Sequence, residues 1–172
     1  GRMASGVLRK GDEVTVMPSG FISKIKSIDT FSGEVEEAFA PMSVSITLED
    51  DIDVSRGDMI VRSNNKPEAQ QDIEVMLCWL NNSPAKPRAK YTIKHTSNEQ
   101  KAMITEVLYK IDINTLNRSS DDTEMSMNDI CKVRIRTTKP LMIDPYRENR
   151  TTGSIILVDD ATNETVAAGM VV

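Results

Sequence analysis

Chemistry in this chain would have to come from very few residues. There is one histidine, His95, and there are two cysteines, Cys78 and Cys131. A metal centre needs clustered His, Cys or carboxylate ligands, and three isolated residues cannot assemble one. Nucleophilic catalysis of the Ser–His or Cys–His kind would have to run through His95. That residue follows Tyr91 and Ile93 on the apolar side of an alternation with Thr92, Lys94 and Thr96, which predicts a hydrogen-bonded structural histidine. Each cysteine lies inside an apolar strand pattern, so both are expected to be reduced and buried. Asp50, Asp51 and Asp53 crowd one bend, but no glycine marks a sharp turn there and no bidentate Glu follows, so a solvated loop is expected rather than a cation site. The phosphate-cradling pattern GxxxxGK[ST] is missing, which excludes nucleotide hydrolysis by this piece alone. No catalytic, cofactor-binding or metal-ligating residue is therefore assigned.

Two charged patterns remain. Arg56-Gly57-Asp58 spells an adhesion tripeptide, but a β-turn that tucks Arg56 against the acidic bend is the better reading. Lys132, Arg134 and Arg136 recur at every second position beside Cys131, Val133 and Ile135. If the apolar set faces a core, the three cations line one exposed strand face. That face is either simply solvated or a docking surface for an acidic partner.

The elements that must position these residues are strands. Val44, Ile46 and Leu48 alternate with Ser45, Thr47 and Glu49, an acidic bend follows, and Met59-Ile60-Val61 reads as a buried return strand. Strand, polar loop and strand suggest the closing pair of a small barrel, since closure removes exposed sheet edges. Before it, Lys10-Gly11-Asp12, Pro18-Ser19-Gly20 and Ser32-Gly33 punctuate short strands. After it, Arg62 to Pro67 reads as a linker. Ile73, Val75, Leu77 and Trp79 then mark one side of a strand, and Asn81 to Arg88 breaks regular structure with two prolines. Ser97-Asn98-Glu99 reads as a hairpin tip, and Met103, Thr105, Val107, Tyr109, Ile111 and Ile113 as one face of a long strand. Asn117 to Met127 is polar and expected to be a mobile loop. Ile155 to Val158 and Val166 to Met170 form a final hairpin around Asp159 to Asn163. The expected fold is all-β: two small antiparallel barrels, residues 1–64 and 65–172.

Composition narrows the partners. The 172 residues carry a net charge of −5 and only 4% aromatics, which argues against RNA-binding barrels with a basic, stacking face. No apolar run reaches the length of a membrane span and no signal peptide opens the chain, so a soluble, cytoplasmic protein is expected, with no nucleic-acid or membrane partner. A free-standing β-sandwich interaction protein is the remaining alternative. The chain opens on Gly1 rather than Met, which reads as a piece cut from something longer.

The runs GVLRKGDEVTVMPSG, DTFSGEVEEAFA and VSITLEDDIDVSRGDMIV resemble the second domain of translation-factor-type GTPases. Within that class they look most like the large, GTP-binding subunits of bacterial sulfate adenylyltransferase. VMLCWL, YKIDINTLNR and DPYRENRTTGSIILVDDATNETVAAGM resemble the third domain of the same family, so the likeness covers nearly the whole chain. The resemblance implies a GTPase domain, absent here, that uses GTP and Mg²⁺. It also implies a separate catalytic subunit that joins sulfate to ATP. Pro41 stands where the family usually has glycine, and the family implies a further strand before Arg2, so the first barrel is expected to be incomplete. Arg56, Asp58, Lys132, Arg134, Arg136, Arg147, Asn149 and Arg150 are the candidates for a surface facing the catalytic subunit or the absent GTPase domain.

Overall fold

The computed structural model describes residues 1–86 and 88–172. Of the two prolines read as breakers between Asn81 and Arg88, Pro84 is in irregular chain and Pro87 lies outside the described residues. The chain divides into two compact units, Gly1–Pro67 and Glu68–Val172. All regular elements among the described residues are strands, and no helix is long and apolar enough to cross a membrane.

The first unit contains β1 (Val7–Arg9), β2 (Glu13–Met17), β3 (Ile22–Thr30), β4 (Gly33–Val35), β5 (Glu37–Phe39), β6 (Ser45–Leu48) and β7 (Met59–Arg62). β1 pairs with β5, and the larger sheet runs β4-β3-β2-β7 with β6 also on β3. The long strand β3 makes this possible. Its first residues, Ile22 to Lys24, pair with β2, and its later ones pair with β6 and β4 past an irregularity between Ile25 and Ser27. Leu8, Val14, Ile25, Ile28, Ala38 and Val44 form the core. β2 is buried on both faces, and Thr15 on its second face meets Ser63 Oγ at 3.0 Å.

The expected closing pair is corrected here. β6 pairs with β3 and β7 with β2, not with each other. The ten residues between them are too many for a tight hairpin, and the bent β3 offers β6 a longer partner. Between them, Ser55-Arg56-Gly57-Asp58 is a β-turn closed by Asp58 N–H on Ser55 O at 3.0 Å. Gly57 sits at φ 101°, the third-position geometry of a type II turn, which only glycine adopts without strain.

The second unit contains β8 (Glu68–Trp79), β9 (Lys90–His95), β10 (Asn98–Ile111), β11 (Arg118–Ser119), β12 (Ile130–Ile143), β13 (Ser154–Asp159) and β14 (Thr165–Val171). Its order is β11-β10-β12-β8-β14-β13-β9, and β9 returns to pair with β10. Six strands thus close into an antiparallel barrel, with β11 a short addition on β10. Alternation fills the inside: Ile73, Val75 and Leu77 on β8, Cys131, Val133 and Ile135 on β12, and Ile155 and Leu157 on β13 are all buried. Trp79 joins them, its indole N–H donating to Ser83 O at 2.8 Å and its ring edge-on to Tyr91 at 5.9 Å.

Three readings of this half change. The face expected to run unbroken from Met103 to Ile113 is interrupted by irregularities between Ile104 and Glu106 and between Val107 and Tyr109. Each extra residue reverses which side chains point inward, so Ala102, Ile104 and Val107 pack on the core while Ile113, beyond the strand end, is exposed. The hairpin tip is Thr96-Ser97 rather than Ser97 to Glu99, because Asn98 already pairs with His95. The segment read as a mobile loop is anchored. Met125 is buried in the barrel core, its carbonyl accepts Ala85 N–H at 2.9 Å, and Asp122 pairs with Lys110 at 2.7 Å.

The thiols differ in setting. Cys131 is fully buried and Cys78 half-buried. Burial pushes the Cys131 thiol up to about 11, and the thiolate is the reactive form. Iodoacetamide at about pH 8 is therefore expected to add at most one group per native chain, on Cys78. Two adducts before unfolding would contradict this packing.

Candidate functional site

The basic row is built as expected but is not free. With Cys131, Val133 and Ile135 inside the barrel, Lys132, Arg134 and Arg136 lie on the outer face of β12. Antiparallel register sets Arg134 opposite Glu74 of β8 and Glu106 of β10, and Arg136 opposite Asp72. Lys132 Nζ lies 2.7 Å and Arg134 Nη2 3.0 Å from the Glu74 carboxylate. Arg134 Nη1 reaches Glu106 at 2.7 Å, and Arg136 approaches Asp72 at 3.6 Å. The hydrogen bond from Lys132, then that from Arg134, holds the Glu74 carboxyl below its ordinary range. Three cations thus meet three carboxylates of their own sheet. The row is a neutral cross-strand ladder of exposed pairs, each contributing about 0–1 kcal/mol.

Arg56 departs from its expected place. It is exposed and has no ion pair among the described residues. The acidic groups nearby are otherwise engaged: Asp58 Oδ2 accepts Ser55 N–H at 2.8 Å, and Asp50 Oδ2 accepts the Ser23 hydroxyl at 2.7 Å.

Arg147, Asn149 and Arg150 come together on a double turn at one end of the barrel, where β12 passes into β13. Asn149 N–H bonds to Pro145 O at 3.1 Å, and Gly153 N–H to Asn149 O at 2.8 Å, so two single turns follow one another. Asn149 Oδ1 accepts Thr151 N–H at 3.0 Å, the side-chain turn to which Asn is suited. Thr152 is buried; its hydroxyl donates to Asp144 Oδ2 at 2.6 Å, and its carbonyl lies 2.7 Å from His95 Nε2. A carbonyl only accepts, so that nitrogen carries the hydrogen. Gly153 fits where nothing larger would, since a Cβ there would stand 2.4 Å from Tyr146 Cα. Tyr146 N–H and Val171 N–H tie the turn to β14 through Val171 O and Gly153 O. Arg147 and Arg150 are exposed and have no ion pair among the described residues. His95 is the hydrogen-bonded structural histidine that its alternation predicted. Asp144, Thr152 and Gly153 are positioning residues that sequence reasoning passed over, and the only signal for them was the density of turn-forming residues from Asp144 to Gly153.

The setting of His95 gives a pH dependence. Burial lowers its proton affinity below the ordinary 6.5, offset in part by the bond to Thr152 O and by the Asp144 charge. As pH falls through 6.5 the unfolded chain takes up the proton first, so stability is lost below that pH and levels off below the folded-state value. The thermal midpoint is expected to fall more between about pH 7.5 and about pH 5.5 in the wild type than in His95→Gln. Equal slopes would contradict the buried neutral imidazole.

Elsewhere, an open groove of about 310 Å³ crosses β9, β13 and β14, lined by Thr92, Lys94, Glu99, Ile156, Val158 and Asp160 among others. Its charges are paired internally, Lys94 with Glu99 at 3.0 Å and Asp160 with Lys101 at 2.7 Å.

Comparison with known proteins extends this geometry. Residues 72–172 match the family described as GTP-eEF1A C-terminal domain-like. The bifunctional enzyme CysN/CysC of Rhodopirellula baltica is 49% identical over 171 residues, which is 99% of this chain and 26% of the relative. Sulfate adenylyltransferase subunit 1 of Bacteroides fragilis is 46% identical over 172 residues, all of this chain and 36% of the relative. The chain therefore spans about a quarter to a third of the length of these relatives. Among solved structures, Sup35 complexed with GDP superposes on all of this chain and 42% of its own with a TM-score of 0.90 at 19% identity, a likeness of fold.

Proposed function

The chain belongs to the GTP-eEF1A C-terminal domain-like family, and from that premise we propose that it forms the two C-terminal barrels of the GTPase subunit of a sulfate adenylyltransferase. The observation that carries the reading is the 46% identity, along its full length, to sulfate adenylyltransferase subunit 1. On this reading residues 1–67 are the translation-factor second domain and 68–172 the third. A GTPase domain elsewhere in the polypeptide uses GTP and Mg²⁺. A separate catalytic subunit joins sulfate to ATP, giving adenosine 5′-phosphosulfate and pyrophosphate.

The contribution of the barrels is coupling. A nucleotide drives a partner reaction only if its two states differ in their contacts with that partner. The second barrel suits this role because its closed ladder leaves few strand edges to deform. Its charge ladder is paired within its own sheet and its interior is filled with apolar side chains. Function on this reading lies on outer faces and end loops.

The first test is nucleotide binding in two polypeptides. The full-length gene product is expected to bind GTP with Mg²⁺ in calorimetry, and the 172-residue chain alone is not. Micromolar GTP binding by the short chain would overturn the division of labour, because it would require a site among residues that carry no phosphate-binding loop.

A further inference from the structure

A barrel whose interior is filled is expected to turn polar side chains outward, and this one does so only in part. Strand register sets Ile156 of β13 beside Ala168 of β14, Ala168 beside Cys78 of β8, and Cys78 beside Ile130 of β12. One pair further along the strands, Met170 stands beside Met76, and Met76 receives the Tyr109 hydroxyl at 3.9 Å. Their sequence neighbours Ile155, Leu157, Ala167, Leu77 and Cys131 point inward, so this set faces out. Met170 is 44% exposed.

This apolar strip runs up to the double turn. Met170 pairs with Ser154, and the Ser154 hydroxyl donates to Arg150 O. Arg150 therefore stands at its rim and Arg147 in the turn just before it, both exposed and without carboxylate partners among the described residues. The backbone that carries them is fixed by buried His95 and Thr152 and by the steric limit at Gly153. A fixed backbone lowers the ordering cost of binding. Methionine, tyrosine and arginine beside one another are the composition of a protein interface, and soluble proteins rarely leave contiguous apolar surface without use.

We propose that Met76, Met170, Arg147 and Arg150 form a docking face for a protein partner that presents an apolar contact flanked by carboxylates, and that this partner is the catalytic subunit. The assignment rests on the function proposed above for the identity of the partner and on the structure for the face. Glu148 between the two arginines disfavours a free phosphate, which would meet it as well. Two arginines with no carboxylate partner among the described residues complement acidic groups on the partner.

The test uses the full-length subunit and the catalytic subunit. Arg147→Glu/Arg150→Glu and Met170→Glu replace exposed side chains, and melting followed by Trp79 fluorescence confirms that both variants fold. The arginine variant is expected to weaken association about tenfold or more at low salt, with the gap narrowing at high salt. The methionine variant should weaken it at both salt levels. If the wild type binds and both variants bind equally well, the docking face is wrong. If the wild type does not bind the catalytic subunit at all, the function proposed above fails and takes the choice of partner with it. Self-association of the subunit that both variants abolish would instead overturn that choice in favour of a second copy of the chain.

Discussion

Gly153→Ala is expected to destabilise the chain by about 3–5 kcal/mol, beyond the usual cost of overpacking. The added Cβ would stand 2.4 Å from Tyr146 Cα, 2.6 Å from Tyr146 N and 2.8 Å from Asn149 O. All three are backbone atoms of the double turn, so no rotamer change relieves the clash. Relief requires opening the turn, which breaks the bond from Gly153 N–H to Asn149 O and the bond from Val171 N–H to Gly153 O. Overpacking usually costs about 1–3 kcal/mol, and the larger figure here reflects the rigid neighbours. Gly169→Ala is the internal control. Its nearest obstacle is Val75 Cγ1 at 2.5 Å, a side-chain methyl, followed by Leu77 Cδ1 at 3.0 Å, so about 1–3 kcal/mol is expected. Urea midpoints of the three proteins decide the matter. A Gly153→Ala chain within about 1 kcal/mol of wild type would mean that the turn is not packed as described.

Met125→Ala is expected to cost about 2–5 kcal/mol, the range for emptying a buried methionine site. Met125 is 3% exposed and belongs to the barrel core although it sits between strands. Its loss should also free the segment around it, because the carbonyl that holds Ala85 N–H depends on that anchor. Limited proteolysis should then cut between Asn117 and Met127 in the variant well before the wild type. A variant losing less than about 1 kcal/mol, with unchanged cleavage, would return this segment to the status of a loose surface loop.

That segment marks where legibility in the sequence ended. Strand alternation was readable because inward and outward residues repeat every second position. Val75, Leu77, Val133 and Ile135 are inside the barrel as the pattern required. Met125 and Met127 stand two positions apart in a polar run, too few to set a period, so the burial of Met125 was invisible. The irregularities in β10 were equally hidden, since an inserted residue reverses facing without altering composition. Pairing between distant strands was the larger loss. Nothing near Arg134 indicates that Glu74, sixty residues away, and Glu106 will stand opposite it. The row was therefore legible as exposed and illegible as neutralised. The double turn was the reverse: Arg147, Asn149 and Arg150 were singled out with the run that contains them, while His95 and Thr152, which fix their backbone, are 57 residues apart and meet only through closure of the barrel.

Formation of adenosine 5′-phosphosulfate from ATP and sulfate, measured with the full-length subunit and the catalytic subunit together, tests the proposed role most directly. Product should accumulate with GTP, fall sharply with a non-hydrolysable GTP analogue, and fall again when Arg147→Glu/Arg150→Glu replaces the wild-type subunit. Synthesis that proceeds equally with and without GTP and with either subunit form would contradict a coupling role for these barrels.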